Sequence, residues 1–337
     1  MHNQILVTLG PSSLSEDIVK RCSEMGIHVF RINLSHTRLE DVGPTIERIR
    51  SWTDVPVCLD TEGAQVRNGS MATESTALGE GDTIIIHFDP VIGDANNISF
   101  SPPNIARRFA IGDEIRIDYD HASIEVVEMT EDSCIAKVLH GGAIGSNKAA
   151  DLDRDLGLDP LTEKDKAAIA IGFELGIRDF ALSFANSGDN VDRMREFCGE
   201  NANIICKIES PAGIVNLEDI LEKAGEVLID RGDLSRTIPI EKIPFLQRRI
   251  IASARARKKP VFVATNLLES MVTTKSPNRA EVNDVVSTLL MGANGLVLAA
   301  ETAIGRFPVE AVEMIRRIMD EIDKWTPNSS ITDILRE

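Results

Sequence analysis

Short apolar runs alternate with longer amphipathic segments along most of the chain. A strand buried on both faces of a parallel sheet is apolar almost throughout. On this pattern we predict eight strands: Ile5–Leu9, Val29–Leu34, Val55–Leu59, Phe180–Phe184, Ile204–Ile208, Val227–Ile229, Val261–Ala264 and Gly295–Ala299. The segments between them have helical periodicity, as in Ser15–Met25, Arg38–Ser51, Glu163–Leu175 and Arg279–Leu290.

Eight strand–helix units predict an α/β fold of the (β/α)₈ TIM-barrel type. A doubly wound open sheet is the competing topology. It is disfavoured because no Gly-x-Gly-x-x-Gly turn follows the first strand.

The alternation stops between about Ser70 and Gly157. Short alternating runs replace it, at Thr83–Phe88, Glu114–Asp118, Ile124–Glu128 and Cys134–Val138. They predict a small β-barrel domain inserted as a lid after the third strand. We therefore place the catalytic barrel at residues 1–69 and 158–325, the lid at 70–157 and a C-terminal tail at 326–337. The glycine-containing joins near Gly69 and Gly157 are the expected hinges.

The charge and amino-acid composition of the chain argue against several classes of function. The 337 residues carry a formal net charge of −17, which argues against nucleic acid or an anionic membrane as a partner. No apolar run is long enough to span a bilayer, and Met1-His2-Asn3-Gln4 leads directly into the first strand without a signal peptide. The five cysteines are scattered without a Cys-x-x-Cys pair. We therefore expect no disulfide framework, no zinc site and a cytoplasmic location.

Polar side chains follow nearly every predicted strand, at the end where the chemistry of a (β/α)₈ barrel takes place. Solvent capping explains any one of them but not the whole set. They are Arg31, Asn33 and Ser35 on strand two, Asp60, Thr61 and Arg67 after strand three, Ser183 on strand four, Lys207 and Glu209 on strand five, Asp230, Arg231 and Asp233 after strand six, Thr265 and Asn266 after strand seven, and Glu301 and Thr302 after strand eight.

These residue types fit one kind of chemistry. Glu209 and Asp233 offer two hard oxygen ligands that can share one Mg²⁺. Arg31 and Lys207 are cationic donors for a phosphate or an enolate, and backbone N–H groups at Gly232 can face a carboxylate. Such a set suits phosphoryl transfer and enolate stabilisation equally well. No Walker-type loop is present, so a nucleotide must bind in another way.

Eight segments, in order, resemble the pyruvate kinase family. They are Thr8-Leu-Gly-Pro-Ser12, Arg31-Ile-Asn-Leu-Ser-His36, Leu59-Asp-Thr-Glu-Gly63, Leu161-Thr-Glu-Lys-Asp165, Cys206-Lys-Ile-Glu209, Arg231-Gly-Asp-Leu234, Ala264-Thr-Asn-Leu-Leu-Glu-Ser-Met271 and Glu301-Thr-Ala303. The resemblance implies a barrel with a β-rich lid. It also implies transfer of a phosphoryl group from phosphoenolpyruvate to ADP through enolpyruvate, in glycolysis, and a homo-oligomeric assembly.

The resemblance also implies residue roles. Lys207 would stabilise the transferring phosphoryl group and the enolate, Arg31 would contact the phosphate, and Thr265 would lie near the carbon that is protonated. Further roles follow for matching positions: Glu209 and Asp233 as ligands of Mg²⁺ or Mn²⁺, Ser183 and Gly232 on the substrate side, Asn33, Ser35, Asp60 and Thr61 as a K⁺ site, and Asn33, His36, Arg67 and Lys148 at the phosphates of ADP or ATP.

Several positions depart from the family pattern. Asp230 replaces an alanine that faces the substrate, Asn266 replaces a glutamine, and Ala299 replaces a serine. Gln65 stands at the position associated with potassium dependence, within a changed segment, Asp60-Thr-Glu-Gly-Ala-Gln65. The family's C-terminal effector domain has no counterpart in this sequence.

Two interpretations of Asp230 stay open. It faces the ligand, where it rejects phosphoenolpyruvate or recognises a cationic or hydroxylated group, or it turns outward and pairs with Arg231 or Arg236. The first interpretation favours a divergent enzyme acting on another 2-oxo or 2-hydroxy acid in a specialised pathway. A catalytically silent nucleotide or metabolite sensor is a third hypothesis, disfavoured by the complete metal ligands and Lys207.

Overall fold

The computed structural model describes residues 3–63, 65–118, 121–152, 154 and 156–335. The chain divides into two compact units, Met1–Gly63 with Pro160–Glu337, and Ala64–Asp159. The domain boundaries at 69/70, 157/158 and 325/326 stay predictions. The start of the chain at Met1 and His2, the departure at Ala64 and the last two residues of the predicted tail lie outside the described residues.

The strands, in chain order, are short and closely follow the apolar runs of the sequence. Within the described residues they are β1 Gln4–Leu9, β2 Val29–Asn33, β3 Val57–Asp60, β4 Arg67–Asn68, β5 Thr76–Leu78, β6 Thr83–His87, β7 Asn97–Ser101, β8 Glu114–Ile117, β9 Ala122–Met129, β10 Ser133–His140, β11 Gly142–Ile144, β12 Ala150–Leu152, β13 Asp179–Leu182, β14 Asn203–Ile208, β15 Glu226–Asp230, β16 Val261–Ala264 and β17 Gly295–Leu298.

The helices fill the intervals between the barrel strands. They are α1 Glu16–Glu24, α2 Leu39–Trp52, α3 Glu163–Glu174, α4 Gly188–Cys198, α5 Pro211–Val215, α6 Leu217–Lys223, α7 Arg231–Thr237, α8 Ile243–Ala256, α9 Arg279–Leu290, α10 Ala300–Ala303, α11 Pro308–Lys324 and α12 Ile331–Ile334. Short 3₁₀ helices occur at Leu34–His36, Ile105–Arg108, Ile240–Lys242 and Glu269–Val272.

Eight parallel strands close into a barrel in the order β1-β17-β16-β15-β14-β13-β3-β2. The first strand pairs with both β2 and β17, so the sheet has no open edge. The predicted (β/α)₈ barrel is therefore confirmed, and the competing open sheet is wrong.

Some predicted strand ends are also wrong. Strand β3 begins at Val57, after a proline that has no N–H for a sheet. Strand β2 stops at Asn33, where the 3₁₀ helix begins, and β13 stops at Leu182, because Phe184 has a left-handed φ of 50°.

One apolar layer fills the middle of the barrel, separate from the larger core between strands and helices. Each of the eight strands contributes to it: Leu6, Val29, Cys58, Ala181, Ile205, Leu228, Phe262 with Ala264, and Val297. Successive side chains in a strand alternate faces, so the residue two positions later also faces the interior. Those later residues include Arg31, Asp60, Ser183, Lys207 and Asp230. A polar layer thus lies directly on the apolar one.

The inserted unit is built from β strands, as predicted. Seven of them form a sheet in the order β12-β8-β9-β10-β6-β7-β4, and β11 pairs with β5 in a second, two-stranded sheet. Its own core contains Ile84, Ile98, Ile124 and Val138, all at most 1% exposed. In the part of the chain that the structure describes, no helix combines the length and the hydropathy needed to cross a membrane.

Asp165 holds the loop after β3. Its carboxylate accepts hydrogen bonds from the backbone N–H groups of Glu62, at 2.7 Å, and Gly63, at 3.1 Å. It also forms a capping box with Thr162 at the start of α3. Because Asp165 is fully buried, water cannot replace it as the acceptor.

We expect Asp165→Ala to lower the free energy of unfolding by about 3 kcal/mol, since it leaves two backbone N–H groups without an acceptor, a buried one at Gly63 and a partly buried one at Glu62. Thr162→Ala, which removes only the helix cap, should cost about 1 kcal/mol. Urea unfolding of both variants measures the difference. Equal losses would show that Asp165 acts only as a helix cap.

Candidate active site

Lys207 is the centre of the polar layer. Its ammonium nitrogen lies 2.7 Å from Glu209 Oε1, 3.0 Å from Ser183 Oγ and 3.4 Å from Asp60 Oδ2. The residue is only 6% exposed. Burial alone lowers the pKa of Lys207, but Asp60, Glu209 and Asp230 together raise it above its ordinary value. The side chain is therefore a fixed ammonium ion at every physiological pH.

Arg31 is the second buried cation. Its Nη2 lies 3.1 Å from Asp60 Oδ2. Burial acts against its charge, while Asp60, Asp230 and Glu209 outweigh that effect and raise its pKa. Its Nε and Nη1 atoms have no hydrogen-bond partner among the described residues. Buried donors without acceptors are rare in proteins, so these two atoms are available to an anionic ligand.

Three carboxylates lie together beside Lys207. Glu209, Asp230 and Asp233 each bring an oxygen within 4.8 Å of the others, and Glu209 and Asp230 are buried. Burial, together with Asp230 and Asp233, raises the pKa of Glu209 to about 8 against the opposing effect of Lys207. Burial and Asp230 likewise raise the pKa of Asp233. Hard oxygen donors that repel one another at close range fit a divalent cation such as Mg²⁺ or Mn²⁺.

Asp230 faces the barrel interior, two residues after Leu228, and is 5% exposed. The interpretation in which it turns outward is wrong. Arg231 pairs with Asp284 at 2.6 Å, and Arg236 contacts Asp233 at 3.1 Å. The physical reason is that Asp230 is the last residue of β15, so the alternation of side chains along this strand directs it into the barrel.

Gly232 and Thr265 meet at the start of α7. The Gly232 N–H donates to Thr265 Oγ1 at 2.7 Å and to Asp230 Oδ1 at 3.2 Å. Thr265 and Asn266 both have left-handed backbones, with φ of 69° and 51°. These conformations turn the chain sharply away from β16 and leave the Thr265 hydroxyl beside the carboxylate cluster.

The residues predicted for a K⁺ site lie at the ends of β2 and β3. Thr61 accepts the Ser183 N–H through Oγ1 at 3.0 Å, and its carbonyl accepts the Ser183 hydroxyl at 2.7 Å. Asn33 Oδ1 accepts the Ser35 N–H at 3.0 Å, and Ser35 is exposed. Asp60 and Thr61 therefore join the network of Lys207. The K⁺ role of the four residues stays a prediction.

The predicted nucleotide residues fall in both units. His36 is exposed at the end of a 3₁₀ helix of the barrel. In the inserted unit, Arg67 donates to the Asn147 carbonyl and to Gln65 Oε1, each at 3.1 Å, and Lys148 pairs with Asp118 at 3.0 Å. Gln65 is thus a partner of Arg67. The nucleotide role of these residues stays a prediction.

Two carboxylates that hold loops near the site, Asp165 and Glu301, have no role predicted from the sequence. Asp165 fixes the loop after β3, as described above. Glu301, 1% exposed, accepts the N–H groups of Leu268 at 3.1 Å and Ala299 at 2.9 Å. The threonine three residues before Asp165 was a usable capping signal. Glu301 is marked only by its place after strand eight, which does not indicate the N–H groups that it accepts.

The family model for the pyruvate kinase barrel domain matches residues 1–312. The chain belongs to the pyruvate kinase family. It is an enzyme, a phosphotransferase of that type, and the family implies a nucleotide and a small molecule as substrates and a general dependence on metal ions.

Curated pyruvate kinases from distant organisms are similar to this chain. The protein from Methylorubrum extorquens is 33% identical over 95% of this chain and 68% of its own length, and that from Thermococcus litoralis is 32% identical over 96% and 70%. A solved structure of a pyruvate kinase from Cryptosporidium parvum superposes with a TM-score of 0.85 at 31% identity, covering 94% of this chain and 68% of the other. The chain thus spans about two thirds of the length of these relatives.

The raised pKa of Glu209 predicts pH-dependent metal binding. Below a pKa of about 8, Glu209 holds a proton that an incoming cation must displace. We therefore expect the affinity for Mn²⁺ to rise by up to about tenfold per pH unit from about pH 6 to pH 8, and to level off above that. Isothermal titration calorimetry measures this dependence, and buffers of different ionisation enthalpy report the released proton. An affinity that is constant across this range would contradict the prediction.

Proposed function

We propose that this chain transfers a phosphoryl group between phosphoenolpyruvate and ADP through an enolpyruvate intermediate. The observation that carries the proposal is the buried ammonium of Lys207. It lies between Glu209, Ser183 and Asp60 at the polar end of the barrel interior. A fixed positive charge in a site that excludes water stabilises anionic phosphoryl and enolate oxygens far better than it would in solvent.

In this proposal, Arg31 and Lys207 bind different parts of the substrate. The unpartnered Nε and Nη1 atoms of Arg31 donate to the phosphate, and Lys207 donates to the oxygen that links phosphate and enol. When the phosphoryl group leaves, Lys207 stabilises the negative charge that remains on the enolate. Asp60 contacts both cations and so keeps them at a fixed separation.

Glu209 and Asp233 hold Mg²⁺ or Mn²⁺ in this proposal. The cation, when bound, neutralises the charge that develops on the phosphoryl oxygens. Asn33, Ser35, Asp60 and Thr61 form a K⁺ site in the same proposal, and Gln65 bears on whether the enzyme requires that ion.

Thr265 and Ser183 complete the substrate side. The Thr265 hydroxyl lies beside Gly232 and donates to its own strand end, at the Ala264 carbonyl. We place it near the carbon that receives a proton from solvent. Asn33, His36, Arg67 and Lys148 bind the phosphates of ADP or ATP in this proposal. A homo-oligomeric assembly, a cytoplasmic location and a place in glycolysis remain predictions, as do the absence of nucleic-acid and membrane partners.

Wild-type enzyme should form pyruvate from phosphoenolpyruvate and ADP in the presence of Mg²⁺ and K⁺, as measured with a coupled dehydrogenase. Lys207→Ala should lower kcat by about 100- to 1,000-fold, the cost of losing one charge-stabilising donor. Lys223→Ala, which removes a partly exposed lysine that pairs with Asp192 on the surface, should leave kcat unchanged. Absence of pyruvate at high enzyme concentration would reject the proposal.

Asp230 favours a second candidate, a related enzyme that acts on another 2-oxo or 2-hydroxy acid. A buried carboxylate in the cluster disfavours a substrate carboxylate nearby, by about 1–4 kcal/mol at 4 Å. If Asp230 excludes phosphoenolpyruvate, Asp230→Ala should raise kcat/KM for this substrate at least about tenfold at saturating metal. An unchanged or lower kcat/KM would count against this candidate.

A further inference from the structure

Asp230 has no assigned task in the reaction, although it is buried at the centre of the site. Strand β15 directs it into the barrel, and its carboxylate lies within 4.8 Å of ligand oxygens on Glu209 and Asp233. A pair of carboxylates is sufficient for a cation that is shared with a substrate. The third carboxylate therefore calls for an explanation.

The two oxygens of Asp230 have different surroundings. Oδ1 accepts the Gly232 N–H at 3.2 Å, which fixes the orientation of the carboxylate. For Oδ2, the described part of the chain offers no hydrogen-bond donor and no ion pair. The neighbouring cations contact other groups: Lys207 contacts Glu209, and Arg236 contacts Asp233. In the same cluster, Glu209 Oε1 is buried and accepts no hydrogen bond from the described residues, although the Lys207 ammonium lies 2.7 Å away. Carboxylate oxygens held together in this way are costly unless a ligand supplies further positive charge.

Arg31 gives an independent indication that a ligand completes this site. It is 95% buried at the same end of the barrel interior, and its Nε and Nη1 atoms have no partner among the described residues. These two guanidinium nitrogens lie in the same polar layer as the three carboxylates, without a hydrogen bond to any of them. The arrangement fits a site that receives a cation on the carboxylate side and an anion on the arginine side.

We propose that Asp230 is a third protein ligand of the divalent cation, in addition to Glu209 and Asp233. The proposal rests on the metal site put forward under Proposed function. Mg²⁺ and Mn²⁺ take about six oxygen ligands, so three carboxylates leave about three positions for water and substrate, where two would leave about four. This chain therefore binds the cation on its own, before a substrate arrives.

Direct binding of Mn²⁺ to the full chain, without substrate, tests the proposal. Asp230→Asn and Asp230→Ala should weaken Mn²⁺ binding by about 10- to 100-fold, a range that even changes outside the ligand shell can produce. Glu209→Gln should weaken it at least as much. Glu269→Gln removes a carboxylate after β16 that accepts a hydrogen bond from Asn266 and lies outside the cluster, and this variant should bind Mn²⁺ as the wild type does.

The number of water molecules bound to the metal distinguishes a carboxylate that is a direct ligand from one that acts only through its charge. Paramagnetic resonance of bound Mn²⁺ in ¹⁷O-labelled water should show about one more coordinated water in Asp230→Ala than in the wild type, because water takes the vacated position. Weaker binding with an unchanged water count would show that Asp230 acts only through its charge, and would overturn the proposal. Thermal unfolding without metal confirms that each variant folds, since removal of one of three like charges should not destabilise the metal-free protein.

The outcomes also distinguish this inference from the proposed function. If Asp230→Ala binds Mn²⁺ as tightly as the wild type while Glu209→Gln does not, Asp230 is not a ligand and the two-carboxylate site stands. If the wild type binds no Mn²⁺ without substrate, the third-ligand proposal fails, and the pyruvate assay with Mn²⁺ decides separately whether the phosphotransferase proposal holds.

Discussion

The alternation of side chains along eight parallel strands determines where this molecule places its charges. An apolar layer closes the middle of the barrel, and the next interior residue on several strands is polar. Arg31, Asp60 and Lys207 are all at most 6% exposed, so none of them can rely on water. Such groups persist only where each charge has an opposite neighbour. The polar layer is therefore one coupled unit in which the loss of any member changes the others.

Rigid supports outside the layer keep that unit in place. Asp165 fixes the loop that carries Thr61, and Thr61 in turn orients Ser183, a direct neighbour of Lys207. Glu209 Oε2 accepts the Phe184 N–H at 2.7 Å, which ties β14 to the turn after β13. Catalytic groups held within a fraction of an ångström need this kind of second layer of hydrogen bonds. This arrangement requires left-handed backbone conformations at Phe184 and Thr265, which cost conformational energy.

Much of this arrangement could be predicted from sequence because it depends on short-range periodicity. Apolar runs identified all eight barrel strands, and alternation placed Lys207 with Glu209 on one face. Strand ends were less predictable, because Phe184 and Asn33 leave the sheet through backbone conformations that side-chain pattern does not encode. The local sequence does not determine the direction of Asp230, for a related reason. Its neighbours Arg231 and Arg236 were plausible partners in sequence, but Asp284, from α9, and Asp233 contact them instead. The contact between Arg231 and Asp284 joins distant segments and is decided by packing, whereas that between Arg236 and Asp233 is local, within α7.

The charge of the polar layer shows why Asp230 matters beyond its own contacts. Asp60, Glu209, Asp230 and Asp233 face three cations, Arg31, Lys207 and Arg236, so these groups together carry one negative charge once Glu209 has lost its proton. A divalent cation would make the set singly positive, whereas with alanine at position 230 it would be doubly positive. In the three-ligand proposal, Asp230 therefore weakens the attraction for an anionic substrate and strengthens the binding of the metal. Within a low-dielectric site one unit of charge is a large change, so in the three-ligand proposal Asp230 favours binding of the metal before the substrate.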